Sequence, residues 1–310
     1  MNDPILTLSS SPHIRSNNTV QSIMRDVIIA LIPAICAGLY FFKFKAALVI
    51  LTAVLSAVIS EFVWQKLTHR DVTVNDLSAV VTGLLLAFNV PPTLPLWMVA
   101  LGSIFAIIIV KQLFGGIGQN VVNPALAARA FLLASWPVAM TTWSIDGTTS
   151  ATPLAILKSG HGDLPSMFNI FIGHIGGCIG ETSALALLIG FAYLLYRKVI
   201  SWHIPVFYVG TVFLLTTLIG RNGFMTGNGI YEIFTGGLML GAIFMATDYT
   251  TSPMTKKGQV VFAIGCGVVA TVIRIFGGYP EGVSYSILIM NLFVPLIDKF
   301  ITPRKFGEVK

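Results

Sequence analysis

Apolar residues run in long stretches along the chain, separated by short polar breaks. Reading those breaks predicts ten membrane crossings, at about 23–42, 46–63, 77–90, 95–113, 124–136, 182–196, 203–219, 230–247, 259–276 and 284–301. A helical crossing needs roughly 20 apolar residues, and several of these are shorter, notably 77–90, 124–136 and 182–196. The short ones are bounded by Gly, Pro or Asn, as in Asn89-Val90-Pro91-Pro92 and Asn123-Pro124. Broken helices persist at membrane depth only where neighbouring protein satisfies the freed backbone groups, and in secondary transporters they often line a central site.

The two halves of the chain read alike. With Phe114-Gly115-Gly116 set against Phe276-Gly277-Gly278, the pattern runs without a gap to Phe131 and Phe293, pairing Val121 with Val283 and Leu126 with Leu288. Five crossings per half would make the second copy enter from the opposite face. The expected fold class is therefore an all-α polytopic membrane protein with about ten transmembrane helices in two inverted five-helix repeats. The expected organisation is a cytoplasmic segment at 1–22, a first repeat at 23–136, an extracytoplasmic loop at 137–181, a second repeat at 182–301 and a cytoplasmic tail at 302–310.

Composition agrees with burial in lipid: 55% of the 310 residues are hydrophobic and 10% charged, against about 25% charged in a soluble domain. The formal charge of +6 suits a surface facing anionic lipid, and no basic, aromatic-interleaved groove suggests nucleic acid. With the N-terminus in the cytoplasm, most Lys and Arg fall inside, Lys66, Arg70, Lys111 and Lys256 among them, while Lys43, Lys45, Lys158, Arg221 and Arg274 fall outside. This bias obeys the positive-inside rule. It predicts a bacterial or archaeal cytoplasmic membrane with the 137–181 loop on the outer side. Residues 1–22 are too polar for a signal peptide's apolar core. Cys36, Cys178 and Cys266 lack the paired spacing of a metal or cluster site and are read as buried packing residues.

One polar run stands out, Asp146-Gly147-Thr148-Thr149-Ser150-Ala151-Thr152-Pro153-Leu154. A threonine hydroxyl among small residues can anchor a flavin, when a transferase directs it at the pyrophosphate of FAD to leave FMN as a phosphodiester and release AMP. Such an acceptor should be exposed. The same hydroxyls can instead cap a helix opening at Pro153, since Pro favours the first helical position.

Ionisable residues in or beside apolar segments are the other candidates, because an unpaired charge there costs roughly 3 kcal/mol or more. Glu61, Glu181 and Asp248 are candidates for an ion path. Glu181 opens crossing six, where a helix N-terminus can stabilise its carboxylate. Asp248 is followed by Thr250, Thr251 and Ser252, oxygen donors suited to a hard cation. Alternatively, Glu61 and Asp248 are solvated at the interface. Arg129 could hold a flavin phosphate through its planar donor fork or pair with an acidic neighbour. Asn291, its counterpart in the second half, suggests a polar layer shared between the halves.

Asp-Gly-Thr-Thr-Ser-Ala-Thr at 146–152 resembles the flavinylation motif of the NqrB/RnfD family, whose members are membrane components of the sodium-pumping NADH:quinone oxidoreductase and of the Rnf complex. Asn123-Pro124-Ala125-Leu126-Ala127-Ala128-Arg129-Ala130-Phe131, Gly180-Glu181-Thr182-Ser183 and Met245-Ala246-Thr247-Asp248-Tyr249-Thr250-Thr251-Ser252-Pro253 are similar to the same family, so the resemblance runs from about Met24 to Pro295. The early first helix is closer to the RnfD branch, and Ser150 stands where many relatives have Gly. The resemblance implies a urea-transporter-like bundle and covalent FMN at Thr152, with Asp146 and Ser150 in the attachment motif. It further implies a second, non-covalent flavin such as riboflavin, a flavin transferase for maturation, and partner subunits that bind NAD and ferredoxin. Electron flow between those substrates would drive Na+ or H+ across the membrane. A urea-transporter-like channel or transporter is the rival reading; it explains the architecture and leaves the Thr152 motif unexplained.

Overall fold

The computed structural model describes residues 19–145, 148–149, 151–159, 164–220, 223–225, 227–279 and 281–302. Asp146, Ser150 and Arg221 lie outside the described residues. The chain is largely helical, and each predicted apolar segment coincides with helix.

Helix α1 (Val20–Leu67) begins at Thr19, whose hydroxyl accepts the Ser22 N–H at 3.1 Å. Its 48 residues would extend about 70 Å if straight, far more than one bilayer core. Lys43 breaks it with φ 54° and ψ −137°, so the first two predicted segments are two helices meeting at one residue. Helix α2 (Ser78–Phe88) follows, then α3 (Leu96–Ile104), which continues as a π-helix over Phe105–Gln112. Helix α4 (Pro124–Ser135) starts where the sequence suggests: Asn123 Oδ1 accepts from the N–H groups of Ala125 and Leu126, with Pro124 in the first helical position.

The 137–181 segment is more structured than a loop. It contains α5 (Pro137–Met140), strands β1 (Ser144–Ile145) and β2 (Thr148–Thr149) paired antiparallel with Ser144 opposite Thr149, and helices α6 (Pro153–Ser159) and α7 (Met167–Ile172). Its end is buried. Ile179 N–H donates to Val90 O at 3.3 Å and Gly180 N–H to Phe88 O at 3.0 Å, which places the Cys178–Ser183 turn against the end of α2. A Cβ on Gly180 would meet Phe88 Cβ at 2.4 Å.

Helix α8 (Ala184–Tyr196) and α9 (His203–Leu218) are continuous, and β3 (Ile219–Gly220) pairs with β4 (Gly223–Phe224). The eighth predicted segment is not one helix. It is α10 (Gly229–Phe234), a break at Thr235-Gly236-Gly237, then α11 (Leu238–Leu240) running into a second π-helix, Gly241–Met245. Gly236 has φ +67°, a conformation that favours glycine. Helices α12 (Lys256–Phe276) and α13 (Val283–Phe300) complete the chain.

Three helices, α1, α12 and α13, are long and apolar enough to cross a membrane, and five shorter apolar helices accompany them. Together with a rim of exposed Leu, Ile, Val and Phe side chains, this is the composition of a multi-pass membrane protein. Inside lipid, helices associate through close packing of small residues. Gly190 of α8 lies so near α1 that a Cβ would be 2.3 Å from Ala30 O, and a Cβ on Gly83 of α2 would be 2.8 Å from Ala53 O. The paired Phe-Gly-Gly turns differ in backbone: Gly115 and Gly116 have φ of +121° and +99°, while Gly277 has φ −76°.

Candidate functional site

Two breaks in regular structure, the end of α2 and the Thr235–Gly237 gap, bring five chain segments together around Arg129. The guanidinium is buried. Its Nη1 donates to Asn89 Oδ1 and to Ser284 Oγ, both at 3.0 Å, and lies 3.2 Å from Glu181 Oε1. Its Nη2 bonds to Glu281 and approaches Cys178 Sγ at 3.8 Å. Arg129 thus pairs with acidic neighbours, one of the two roles open to it from the sequence, with two carboxylates instead of one.

Glu181 sits beside a helix N-terminus, as expected, but the helix is not its own. A Cβ on Gly237, the residue preceding α11, would be 2.6 Å from Glu181 Oε1. The positive end of the second half of the broken segment thus faces this carboxylate. The first half ends on Arg274, whose Nη1 donates to Glu232 O at 2.7 Å and whose Nη2 donates to Thr235 O at 3.3 Å. Arg274 also pairs with the Glu232 carboxylate at 3.3 Å and is fully buried. The charge assigned above to the outer surface therefore caps an interrupted helix inside the protein.

Lys111 is corrected in the same way. It is 2% exposed, and its ammonium contacts Glu61 Oε1 and Ser78 Oγ at 2.6 Å each. Gln112 Nε2 reaches the same Glu61 oxygen at 2.6 Å. Glu61 is thus buried and paired, not solvated at an interface. The π-helix turns both Lys111 and Gln112 toward it, and such distortions recur at functional sites. With Lys111 and Arg274 removed from the surface tally, the inner excess of positive residues persists.

Asp248 accepts hydrogen bonds from two of the hydroxyls that follow it, Thr250 Oγ1 at 2.8 Å and Thr251 Oγ1 at 3.2 Å. Burial pushes its carboxyl above the ordinary range, and these hydrogen bonds oppose that shift. Asp248 and Lys111 line one cavity of about 100 Å³ together with Asn120 and Asn123. Asn120 Oδ1 is buried there without a hydrogen-bond partner.

Thr152 lines a different cavity, of about 290 Å³, shared with Arg129, Trp143, Tyr279 and Glu281. It is 5% exposed and its Oγ1 accepts the Ala155 N–H at 3.2 Å, capping α6. The helix-cap reading is realised, and the expected exposure of this hydroxyl is not. Aromatic walls and a guanidinium suit a flavin ring system, so the residues present fit the group. Two carboxylates already occupy Arg129, which argues against a free phosphate clamp at that residue.

Asn291 bears out the shared polar layer. In the amide orientation that satisfies both ends, it donates to Thr251 O at 3.0 Å and accepts the Asn123 N–H at 3.1 Å. Cys178 and Cys266 are buried as read from the sequence, but Cys36 is exposed. Sequence reasoning missed Glu281, because it lies in a polar connection and not inside an apolar run.

The family model described as the NQR2, RnfD, RnfE family matches residues 7–307. The chain belongs to this family. Among family members, it is 53% identical to a component of the Na(+)-translocating ferredoxin:NAD(+) oxidoreductase complex of Acetobacterium woodii, over 100% of its length and 98% of the relative. It is 48% identical to a component of the proton-translocating ferredoxin:NAD(+) oxidoreductase complex of Clostridium ljungdahlii, covering 98% of this chain and 96% of that one. A third member, from the ion-translocating oxidoreductase complex of Stutzerimonas stutzeri, is 38% identical over 94% and 93% of the two chains. In each complex the relative is the component lettered D.

Proposed function

We propose that this chain is the membrane electron-transfer subunit of an Rnf-type complex, with FMN bound through phosphate to Thr152 on the extracytoplasmic side. The observation that carries this reading is the position of Thr152, the last residue of the acceptor motif, on a cavity walled by Trp143, Tyr279 and Arg129. When bound, FMN supplies the redox chemistry that no side chain here provides. The chain's own residues anchor and enclose: Thr152 fixes the position, and Trp143 and Tyr279 offer faces against which a planar ring packs. Because the Thr152 hydroxyl is buried, the transferase acts before α6 docks or during an opening of that short helix.

NAD and ferredoxin bind partner subunits in this reading, and the coupling ion is Na+ or H+, the two ions that appear in the relatives' names. Glu61, Glu181 and Asp248 are the carboxylates proposed for its path. A second, non-covalent flavin such as riboflavin belongs to the same proposal, by the family resemblance.

The ten-helix inverted repeat belongs to the same proposal. Its support is an exchange of partners: Arg129 of the first half bonds Asn89 and Ser284, and Asn291 of the second bonds Thr251 and Asn123. Under the alignment of the halves, Arg129 corresponds to Asn291. The solute-channel alternative predicts no covalent flavin. In-gel flavin fluorescence after denaturation distinguishes them, with a fluorescent band expected from cells that contain the transferase and a dark band sinking the proposal.

A further inference from the structure

Among the described residues, buried acids in ion pairs each face a cation of their own, with one exception. Glu61 has Lys111, Asp26 has Arg197 and Glu232 has Arg274. Glu181 and Glu281 share Arg129. Two carboxylates against one guanidinium leave a net negative charge in a site whose arginine and Glu181 are almost wholly removed from solvent.

The hydrogen-bond inventory at Arg129 points the same way. Both Nη1 hydrogens are taken, by Asn89 Oδ1 and Ser284 Oγ, so Glu181 Oε1 lies 3.2 Å from that nitrogen without receiving a bond. That oxygen is a buried acceptor with no hydrogen-bond partner. No further cation among the described residues is within reach. Arg274 is committed to Glu232 and the Thr235 carbonyl, and Lys158 bonds the carbonyl of Gly278 at 2.7 Å. The other titratable groups facing the cluster are the Cys178 thiol and the Tyr279 and Tyr285 phenols, none of which adds positive charge.

We propose that Glu181 and Glu281 hold one exchangeable proton between them on Arg129. Like charges at one buried site cannot both ionise cheaply, and a single proton balances the cluster. Glu281 is the exit: its side chain is 16% exposed against 3% for Glu181, and it borders the Thr152 cavity. A negative charge arriving in that cavity can therefore be balanced by movement of this proton. The second role rests on the flavin reading above; the protonation state of the pair does not.

Infrared spectroscopy of the detergent-purified protein, compared in H2O and D2O at neutral pH, tests this. A protonated-carboxyl band that shifts in D2O is expected in the wild type and in flavin-free Thr152→Ala. It should vanish in Glu281→Gln and in Glu181→Gln, where one carboxylate remains for Arg129, and persist in Glu281→Asp and Asp248→Asn. If Glu181→Gln fails to fold, the more exposed Glu281→Gln decides alone. A band unchanged in Glu281→Gln, or absent from the wild type, overturns the proposal. So does thermal stabilisation by sodium that Glu281→Gln removes, which would make the shared occupant a metal cation.

Discussion

Lys111 Nζ lies 2.6 Å from Glu61 Oε1 across the interface between α1 and the π-helix, with both side chains buried. Breaking such a pair from one side leaves an uncompensated charge, typically at a cost of about 3–5 kcal/mol. Glu61→Gln and Lys111→Met should each lower the unfolding midpoint strongly in detergent. The double variant should recover much of that loss. Additive losses in this cycle would show that the two side chains do not interact.

Arg274 offers a second test of buried charge. Its replacement by Met would remove the guanidinium that pairs with the Glu232 carboxylate and leave the Thr235 carbonyl without its Nη2 donor. The expected loss is again about 3–5 kcal/mol, with Arg274→Lys only partly corrective because the forked geometry is lost. Unchanged thermal stability of Arg274→Met would contradict the capping role.

The two functions of the Thr152 hydroxyl can be separated. Thr152→Ala removes both the cap and the anchor, and losing a cap typically costs about 1 kcal/mol. Thr152→Asn keeps a capping oxygen but no hydroxyl, so it should lose the flavin at near wild-type stability. Gel fluorescence and thermal melts, read together, check this; covalent flavin retained in either variant would exclude Thr152 as the anchor.

Asp248 is a half-buried carboxyl with no ion pair among the described residues, and burial favours its protonated form in the folded state. A carboxyl raised on folding gives up stability as pH rises from its unfolded value through its folded one. Asp248→Asn should therefore raise the melting temperature more at alkaline than at acidic pH. Equal shifts at both ends would show that burial does not govern this group.

Much of this arrangement was legible in the sequence. The polar breaks placed every long helix, Asn123-Pro124 marked a helix start, and Asn291 opposite Arg129 foretold the polar layer. Long-range pairing was not legible, because Lys111 and Arg274 look like interfacial charges until the π-helix and the α10–α11 break turn them inward. Glu281 was hidden for the same reason, since only the fold brings it to Arg129. The ribbon beside the acceptor motif could have been read from Asp146-Gly147, a strong short-range hairpin signal. The burial of Thr152 could not, because it depends on how α6 packs on the cavity shared with Arg129.

Mass analysis of the peptide containing Thr152, from protein made in cells that carry the flavin transferase, tests the central claim most directly. The account predicts a mass increase equal to FMN bound through a phosphodiester and fragmentation that places it on Thr152. A fully unmodified peptide, or FMN on a different residue, would contradict it.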